Sequence, residues 1–454
     1  MKKFLLLTSL MTILCLLASG CSRYVRQAVK IQNPDTAHET IAIDVAVDLF
    51  GVKHIVTRVC SISVPSDCEI VYSTATTGTP TVITTLSSPT GYIGMEHPAI
   101  AVTDNGVAAI AWDTSRTAGG SGATLYVLST ALGSINEIDM DYVAGTPHLV
   151  SKGNKIYAVQ GVLKGSDSGI RYRQLVGGSS SGWVIKDGIS LFNNYVDSAV
   201  SPSGHLFVVF WRLWSYDIMY ADNYATAGDM TNVFGLISGA SAYTDPRIDV
   251  NGSPEVVYVT YTHEFDPGPG FSDLLVIGRC LAASCSFGTY QIVLPLDPSK
   301  AWDINGVTDI IADSVNTAYY VFSASNSDSG ANYDIFEGYF QDGLPNFYGN
   351  ITNTPGSNDG TPSIGLMWSI IPVTGWVTEH DIYQFDTYPF PLPPPFYPYA
   401  SLRQIYHTEN TILADVDMAC NADWGAGVWI EDQATQQSYL IFNTYPSMLP
   451  MIKK

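Results

Sequence analysis

Short runs of apolar, β-branched and aromatic residues, separated by turn residues, recur along almost the whole chain. The clearest case lies between residues 361 and 447, where three such runs occur twice in succession. A period of about fifty residues, with several short strands in each unit, is typical of β-propeller blades. The period is marked by an apolar residue near the centre of the first run of each unit: Ala46, Ile100, Leu149, Val200, Ile248, Ile311, Ile364 and Met418.

This repeat predicts an all-β protein, with residues 21–454 forming one β-propeller domain of eight four-stranded blades. A four-stranded sheet cannot bury both of its faces alone, whereas sheets stacked around an axis cover each other. The last unit has too little chain for a fourth strand, so we expect the segment from Tyr24 to Ile31 to complete it. A seven-bladed ring with one irregular extension is the alternative, because the turn at Phe50-Gly51 is a poor match to the turns of other units, such as Asn105-Gly106.

The first twenty residues have the pattern of an export signal. Lys2 and Lys3 precede an apolar run over residues 4–17, which is short for a membrane span, and small residues follow. The ending Ala18-Ser-Gly-Cys21 resembles the lipobox of bacterial lipoproteins, with Ala18 where Leu is commoner. The resemblance implies cleavage before Cys21, a lipid anchor on Cys21, and a location at the outer membrane or cell surface. An ordinary secretory signal or an uncleaved anchor is the alternative.

The charge of the chain is strongly acidic. It contains 21 basic and 42 acidic residues, and removal of Lys2 and Lys3 with residues 1–20 leaves 19 against 42, a net charge of −23. Such a potential repels phosphate backbones, so nucleic acid is not an expected partner. Cations or basic protein surfaces would suit it, and an acidic surface also keeps an exported protein soluble.

Two pairs of cysteines flank short loops. Cys60 and Cys68 enclose one hairpin, and Cys280 and Cys285 enclose a shorter loop. Exported proteins meet oxidising surroundings, so we predict one disulfide bond within each pair. Metal binding by these pairs is the alternative, but neither has CxxC spacing. Cys420 is left over and is expected to be a buried apolar residue.

Candidate ligand-binding residues come from their position in the repeat. Residues near the start of the first strand of each unit should gather at the opening of the ring axis, where closed repeat folds commonly bind ligands. Clustered carboxylates there could hold Ca²⁺, whereas the alternative is that they cap turns by accepting hydrogen bonds from local amides. The candidates are His97, Asp197, Asp245, Asp309 and Asp415.

The repeat over residues 24–454 resembles that of propeller domains with sialidase-like repeats, which occur in many bacterial surface lipoproteins. Thr103-Asp-Asn-Gly106 followed by Trp112 is a loose echo of the Asp-box of that family, Ser-x-Asp-x-Gly-x-Thr-Trp. The Asp-box itself is not reproduced, and no Arg-Ile-Pro start is present. The resemblance therefore implies a fold and assigns no catalytic residue.

Three functions are compatible with these patterns. A surface-anchored recognition module that binds a protein or glycan through one face of the ring is favoured, because the chain has no nucleophile, zinc or nucleotide-binding motif. The proline- and aromatic-rich segment 387–399 would suit such binding. A glycoside hydrolase or lyase with carboxylates at the axial opening is the second possibility. A structural subunit of a surface assembly is the third.

Overall fold

The computed structural model describes most of the chain. The residues described are 27–29, 37–64, 67–76, 80–87, 92–116, 123–129, 134–138, 143–162, 168–186, 196–212, 217–223, 228–230, 232–237, 242–243, 246–264, 273–292, 302–313, 317–326, 332–341, 344–352, 359–367, 371–378, 381–386, 401–407, 427–432 and 437–442. The predicted leader 1–20, Cys21, the proline-rich segment 387–399 and Cys420 lie outside them.

The described residues form eight antiparallel sheets, and the strands are numbered in chain order. The first sheet contains His38–Val47 (β2), Lys53–Ser61 (β3), Cys68–Ala75 (β4) and Thr81–Ser87 (β5). The second contains Tyr92–Val102 (β6), Ala108–Arg116 (β7), Ala123–Ser129 (β8) and Ser134–Ile138 (β9). The third contains Val143–Lys152 (β10), Lys155–Val162 (β11), Gly169–Val176 (β12) and Ser181–Lys186 (β13). The fourth contains Val196–Val200 (β14), Leu206–Arg212 (β15), Asp217–Asp222 (β16) and Asn232–Ile237 (β17).

The later sheets repeat the same order. In the fifth, two short strands pair with the same neighbour, giving Ala242–Tyr243 (β18), Arg247–Asn251 (β19), Val256–Glu264 (β20), Leu274–Leu281 (β21) and Gly288–Ile292 (β22). The sixth contains Trp302–Ala312 (β23), Thr317–Asn326 (β24), Asp334–Gln341 (β25) and Leu344–Asn350 (β26). The seventh contains Gly360–Met367 (β27), Ile371–Val377 (β28), Asp381–Asp386 (β29) and Ser401–His407 (β30). The eighth contains Gly427–Asp432 (β31), Gln437–Phe442 (β32) and Gln27–Val29 (β1).

The core lies between successive sheets. Strand β15 has the apolar sequence Leu-Phe-Val-Val-Phe over residues 206–210, and all five side chains are buried. Because alternate side chains of a strand point to opposite faces, this run covers one neighbouring sheet with Phe207 and the other with Val208. Burial of both faces explains why the second strands read as continuous apolar runs. The architecture is that of a β-propeller, as predicted.

The innermost strands of the first seven sheets follow one another around the axis, since each of the first six contacts the innermost strand of the sheet after it. Strand β1 pairs with β32, and Gln27 lies opposite Phe442. Strand β2 contacts β31 and β32, in the same way as β6 contacts β3 and β4 of the sheet before it. The expectation that the N-terminal segment completes the last sheet is therefore confirmed. The number of blades in the closed ring stays a prediction.

The turn between the first and second strands corrects one expectation from the sequence. In the first sheet, Asp48 N–H donates to the Val52 carbonyl at 3.1 Å, and Val52 N–H donates to Asp48 Oδ1 at 2.9 Å. Thr103 with Val107, and Ser201 with His205, form the same pair of bonds. The turn that contains Phe50-Gly51 was therefore wrongly judged a poor match.

Each of these three turns has a glycine at its fourth position, with φ of 78° at Gly51, 81° at Gly106 and 84° at Gly204. Glycine adopts this left-handed conformation without the steric cost that a Cβ would add. What the turns share is therefore an oxygen-bearing side chain first and glycine fourth, and the second and third residues are free to vary.

Both predicted disulfide bonds are present. Cys60 is bonded to Cys68, and Cys280 is bonded to Cys285. Each closes a short loop at the end of a hairpin, and the second encloses the single 3-10 turn Ala282–Ser284 of the described chain. Among the described residues, none belongs to a helix with the length and apolar character needed to span a bilayer.

Candidate functional site at the ring axis

The sequence-predicted candidates are distributed over the inner strands. Asp197 lies in β14, Asp309 in β23 and His97 in β6. Asp245 and Asp415 lie outside the described residues. We use two names for the faces of the ring: the mouth face is where the first strands begin, and the turn face is where the turns from first to second strand lie.

Asp309 joins the sixth sheet to the seventh. Its Oδ1 accepts a hydrogen bond from the N–H of Ile310 at 2.9 Å, next to it in the chain. Its Oδ2 accepts from the N–H of Ile364, at 3.0 Å, on the first strand of the next sheet. The hydroxyl of Ser363 is a further donor to Oδ2, at 3.3 Å. One carboxylate thus satisfies an amide of its own strand and another in the neighbouring sheet.

Three other aspartates make the same two-sided arrangement, which we call the inter-sheet clamp. In each case Oδ1 accepts from the next amide of its own strand at 2.8 or 2.9 Å, and Oδ2 accepts from an amide one sheet further on at 2.7 or 2.8 Å. The pairs across sheets are Asp44 with Ile100, Asp197 with Ile248, and Asp249 with Ala312. Amides at the inner edge of a sheet need acceptors, and these carboxylates supply them.

His148 links the third sheet to the fourth by side chains alone. Its Nε2 lies 3.0 Å from Asp197 Oδ1, and its Nδ1 lies 2.7 Å from the Ser198 hydroxyl oxygen. Serine, histidine and aspartate therefore meet at one point. Ser198 and Asp197 are adjacent on one strand, and the Asp197 carboxylate is also held by two main-chain amides, so the group holds two sheets together.

The pKa values of two clamp aspartates, Asp249 and Asp309, are raised by burial and by repulsion from a third, Asp197. Burial is the main cause that raises the pKa of Asp249 and of Asp309 to about 6, and the negative charge of Asp197 contributes to the rise in both. Lys152 opposes the rise in the pKa of Asp249, and Arg247 opposes that of Asp309. Both residues are half-buried, but the polar atoms of their carboxyl groups are surrounded by protein, so desolvation is the largest cause of the rise in pKa.

This arrangement leaves the clamp carboxylates with few free lone pairs. Within the described part of the chain, no three side chains of the His, Cys, Asp or Glu type lie close enough together to hold a metal ion. The predicted Ca²⁺ site therefore stays a prediction, since it also involves Asp245 and Asp415. The alternative prediction, that these aspartates accept hydrogen bonds from local amides, describes the Oδ1 bonds of Asp197 and Asp309. Their Oδ2 bonds to amides of the next sheet were not predicted from the sequence.

A second group of polar side chains lies on the mouth face between the fifth and sixth sheets. The Tyr333 hydroxyl donates to Asp303 Oδ2 at 2.7 Å, and Asp303 is exposed. Burial together with the hydrogen bond to Asp303 raises the pKa of Tyr333 to about 12, so the hydroxyl stays protonated. Asp273 lies alongside and accepts from the N–H of Ile304 at 2.9 Å. We call Tyr333 and Asp303 the mouth pair.

Sequence reasoning missed His148, Asp249 and the mouth pair. His148 lies one residue before the apolar marker Leu149, and Asp249 lies one residue after Ile248, so neither falls at the position used to select candidates. A search for any ionisable residue within three positions of each marker would have found both. The mouth pair had no such signal, because Asp303 and Tyr333 are thirty residues apart and neither lies within three positions of an apolar marker.

Comparisons with known proteins are distant. No protein-family model and no curated protein matches the chain. Among solved structures, prolyl oligopeptidase B from Galerina marginata is similar at 12% identity and a TM-score of 0.47, over 90% of this chain and 56% of that one. The chain spans about half the length of the prolyl peptidases it matches, 55% and 56%.

Two further matches are proteins of the sialidase and lectin groups. The intramolecular trans-sialidase from Ruminococcus gnavus is 8% identical with a TM-score of 0.39, over 72% of this chain and 98% of that one. The six-bladed β-propeller lectin from Aleuria aurantia is 10% identical with a TM-score of 0.34, over 71% of this chain and all (100%) of that one. At these values the matches carry no argument about ligand or activity.

Proposed function

We propose that the protein is a lipid-anchored recognition module, which binds a glycan at the mouth face of the propeller without cleaving it. The observation that carries this proposal is the use of the axial carboxylates. Asp44, Asp197, Asp249 and Asp309 each direct both carboxylate oxygens to main-chain amides. A carboxylate that holds two sheets together cannot move toward a substrate without loosening the ring.

The mouth pair supports a glycan as the ligand. The ring of Tyr333, whose hydroxyl is hydrogen-bonded to Asp303, offers a flat apolar surface, and the exposed carboxylate of Asp303 offers acceptors for sugar hydroxyls. The anchor is proposed from the residues before Cys21, whose small-residue ending resembles a lipobox. With Cys21 lipidated, the binding domain would be held at the outer membrane or cell surface.

A glycoside hydrolase is the second candidate, and one observation favours it. Asp249 and Asp309 both have a pKa of about 6, and a carboxyl group that is protonated near neutral pH can act as a general acid. Two such groups on neighbouring sheets would then be the acid and its partner.

A glycan array combined with a reducing-sugar assay on the same panel separates the two. We expect binding of at least one glycan and no release of reducing ends.

Tyr333→Phe and Asp303→Asn should weaken that binding, while Asn154→Ala, at an exposed position on the turn face, should leave it unchanged. Release of reducing ends that is lost in Asp249→Asn or Asp309→Asn would establish the hydrolase. Binding that is unaffected by both mouth-pair variants would contradict the proposed location, and capture of a protein in place of any glycan would contradict the proposed ligand.

A further inference from the structure

The turn face of the first sheet departs from the polar character of its counterparts. In the second and fourth sheets the two residues after the first turn residue are Asp104-Asn105 and Pro202-Ser203. In the first sheet they are Leu49 and Phe50, exposed by 47% and 67%. The bonds that form the turn are the same in all three, so the turn itself does not require these apolar side chains.

Two more exposed apolar side chains lie at the same end of the same sheet. Val82 and Ile83, on the outermost strand β5, are exposed by 58% and 54%. Val82 pairs with Ser73 near the end of β4, and the register shift between Tyr72 and Ser73 leaves Ile83 unpaired in the ladder. That end of β4 adjoins Lys53, the first residue after the Leu49-Phe50 turn. We call Leu49, Phe50, Val82 and Ile83 the turn patch.

The N-terminal strand places the proposed anchor at this end of the ring. Strand β1 is antiparallel to β32 and pairs Gln27 with Phe442. Because β32 is a third strand, it ends on the turn face, and β1 therefore begins there, in the sheet next to the turn patch. Five residues separate Cys21 from Gln27, and an extended chain of that length spans roughly 17 Å.

We infer that the turn patch docks onto the lipid bilayer that holds the anchor, so that the mouth face points away from the membrane. This inference rests on the lipidation of Cys21 in the proposed function. A lipid tether that leaves one face brings that face within reach of the bilayer, and exposed Phe and Leu side chains partition into the interface. With a net charge of −23 after removal of residues 1–20, which contain two of the 21 basic and none of the 42 acidic residues, the protein is not drawn to anionic headgroups, so the contact depends on apolar side chains and suits zwitterionic lipid.

The orientation can be measured with a fluorescent reporter at matched positions. An environment-sensitive fluorescent amino acid replaces Phe50 in one protein and Val64 in the other. Val64 belongs to the same sheet, is exposed by 49%, and lies at the opposite end, between β3 and β4. The full chain, exported with its own leader, is reconstituted in phosphatidylcholine vesicles with and without brominated acyl chains. We expect brominated lipid to quench the reporter at position 50 and to leave that at position 64 unchanged.

The design separates this inference from lipidation. Incorporation of labelled palmitate that is lost in Cys21→Ser tests the anchor alone. In a second preparation, a hexahistidine tether replaces residues 1–21 and binds nickel-chelating lipid, so that the reporters can be read even if Cys21 carries no lipid. Equal quenching at both positions, or none at position 50, would overturn the docking inference. A blue shift at position 50 without lipid quenching, together with a doubled mass in light scattering, would show that a second copy covers the patch and would also overturn it.

Discussion

The carboxylate of Asp309 and the main-chain amide of Ile364 are 3.0 Å apart, although they belong to different sheets and lie 55 residues apart in the chain. A charged acceptor binds an amide more strongly than a neutral one does. The bond therefore links the seventh sheet to the sixth at one defined height. The same clamp recurs between the first and second, the fourth and fifth, and the fifth and sixth sheets.

Removing one clamp should destabilise the ring. Asp309→Ala leaves the amides of Ile310 and Ile364 without their acceptor, and the expected loss in the free energy of unfolding is about 1–3 kcal/mol. Asp217→Ala is the control, because its ion pair with Arg212, at 3.7 Å, is longer than a hydrogen bond and joins two strands of one sheet. Urea titration monitored by tryptophan fluorescence measures both. Equal midpoints for Asp309→Ala and the wild type would show that the clamp contributes nothing.

Stability should increase as the pH falls from 7 toward 5. The pKa of Asp249 and of Asp309 is about 6 in the folded protein, above the ordinary value of 3.8 for an aspartate side chain. The folded state therefore binds more protons than the unfolded state between about pH 4 and pH 6, and acidification through that range favours folding. Thermal unfolding at pH 7 and pH 5 should show a higher Tm at pH 5. In the double variant Asp249→Asn/Asp309→Asn this difference should shrink, and a wild-type Tm that falls over this range would contradict the assignment.

The turn glycines give a matched pair of substitutions. Gly106 has φ of +81°, and a Cβ at this position would lie 3.0 Å from Asp48 Oδ2 in the adjacent sheet. Gly153 has φ of +59°, and a Cβ there would have nothing within 4 Å. Both alanine variants lose roughly 1 kcal/mol from the left-handed backbone. Gly106→Ala should lose more, because Asp48 is also held by two amides of its own turn.

Thermal unfolding of Gly106→Ala and Gly153→Ala under the same conditions measures this difference. A Gly153→Ala variant as unstable as Gly106→Ala would show that packing of the first turn against the second does not matter.

The two disulfide bonds should each contribute modestly. They close loops with sequence separations of 8 and 5 residues, and restriction of the unfolded chain by such short loops is worth about 2 kcal/mol each. Cys280→Ser/Cys285→Ser should therefore lower the denaturation midpoint without abolishing folding. Mass spectrometry with and without reduction verifies the bond, and an unchanged midpoint in the double variant would contradict the expected contribution.

The repeat could be predicted from the sequence because the pattern is local. Apolar markers such as Ile100 and Ile364 lie within strands, and the turns after those strands use Asp, Ser, Thr and Gly for reasons that depend on a few neighbouring residues. The place of strand β1 could also be predicted, since the last unit has too little chain for a fourth strand and the segment from Tyr24 to Ile31 precedes the first unit without belonging to it. The turn at Phe50 was misjudged because its middle residues looked unlike those of other turns, whereas Asp48 and Gly51 determine it.

The site was harder to predict, because its hydrogen bonds depend on how neighbouring sheets are positioned relative to each other along the axis. Asp309 was predicted from its place in the repeat, but nothing in its neighbourhood in the sequence indicates that its partner is the amide of Ile364. The strength of such a bond depends on how far one sheet is shifted along the axis relative to the next, and packing of buried side chains sets that shift. The mouth pair lies within the sixth sheet, where Asp303 belongs to the first strand and Tyr333 immediately precedes the third, so it depends on the loop that leads into that third strand.

Pairing of Gln27–Val29 with β32 determines both the composition of the last sheet and the face from which the chain leads back to Cys21. Hydrogen exchange of the full protein, read by mass spectrometry on peptides that span residues 27–29, tests it directly. The account predicts that these amides exchange slowly, at rates comparable to those of residues 437–442. Exchange of residues 27–29 at the rate of an unstructured peptide, while 437–442 stay protected, would contradict it.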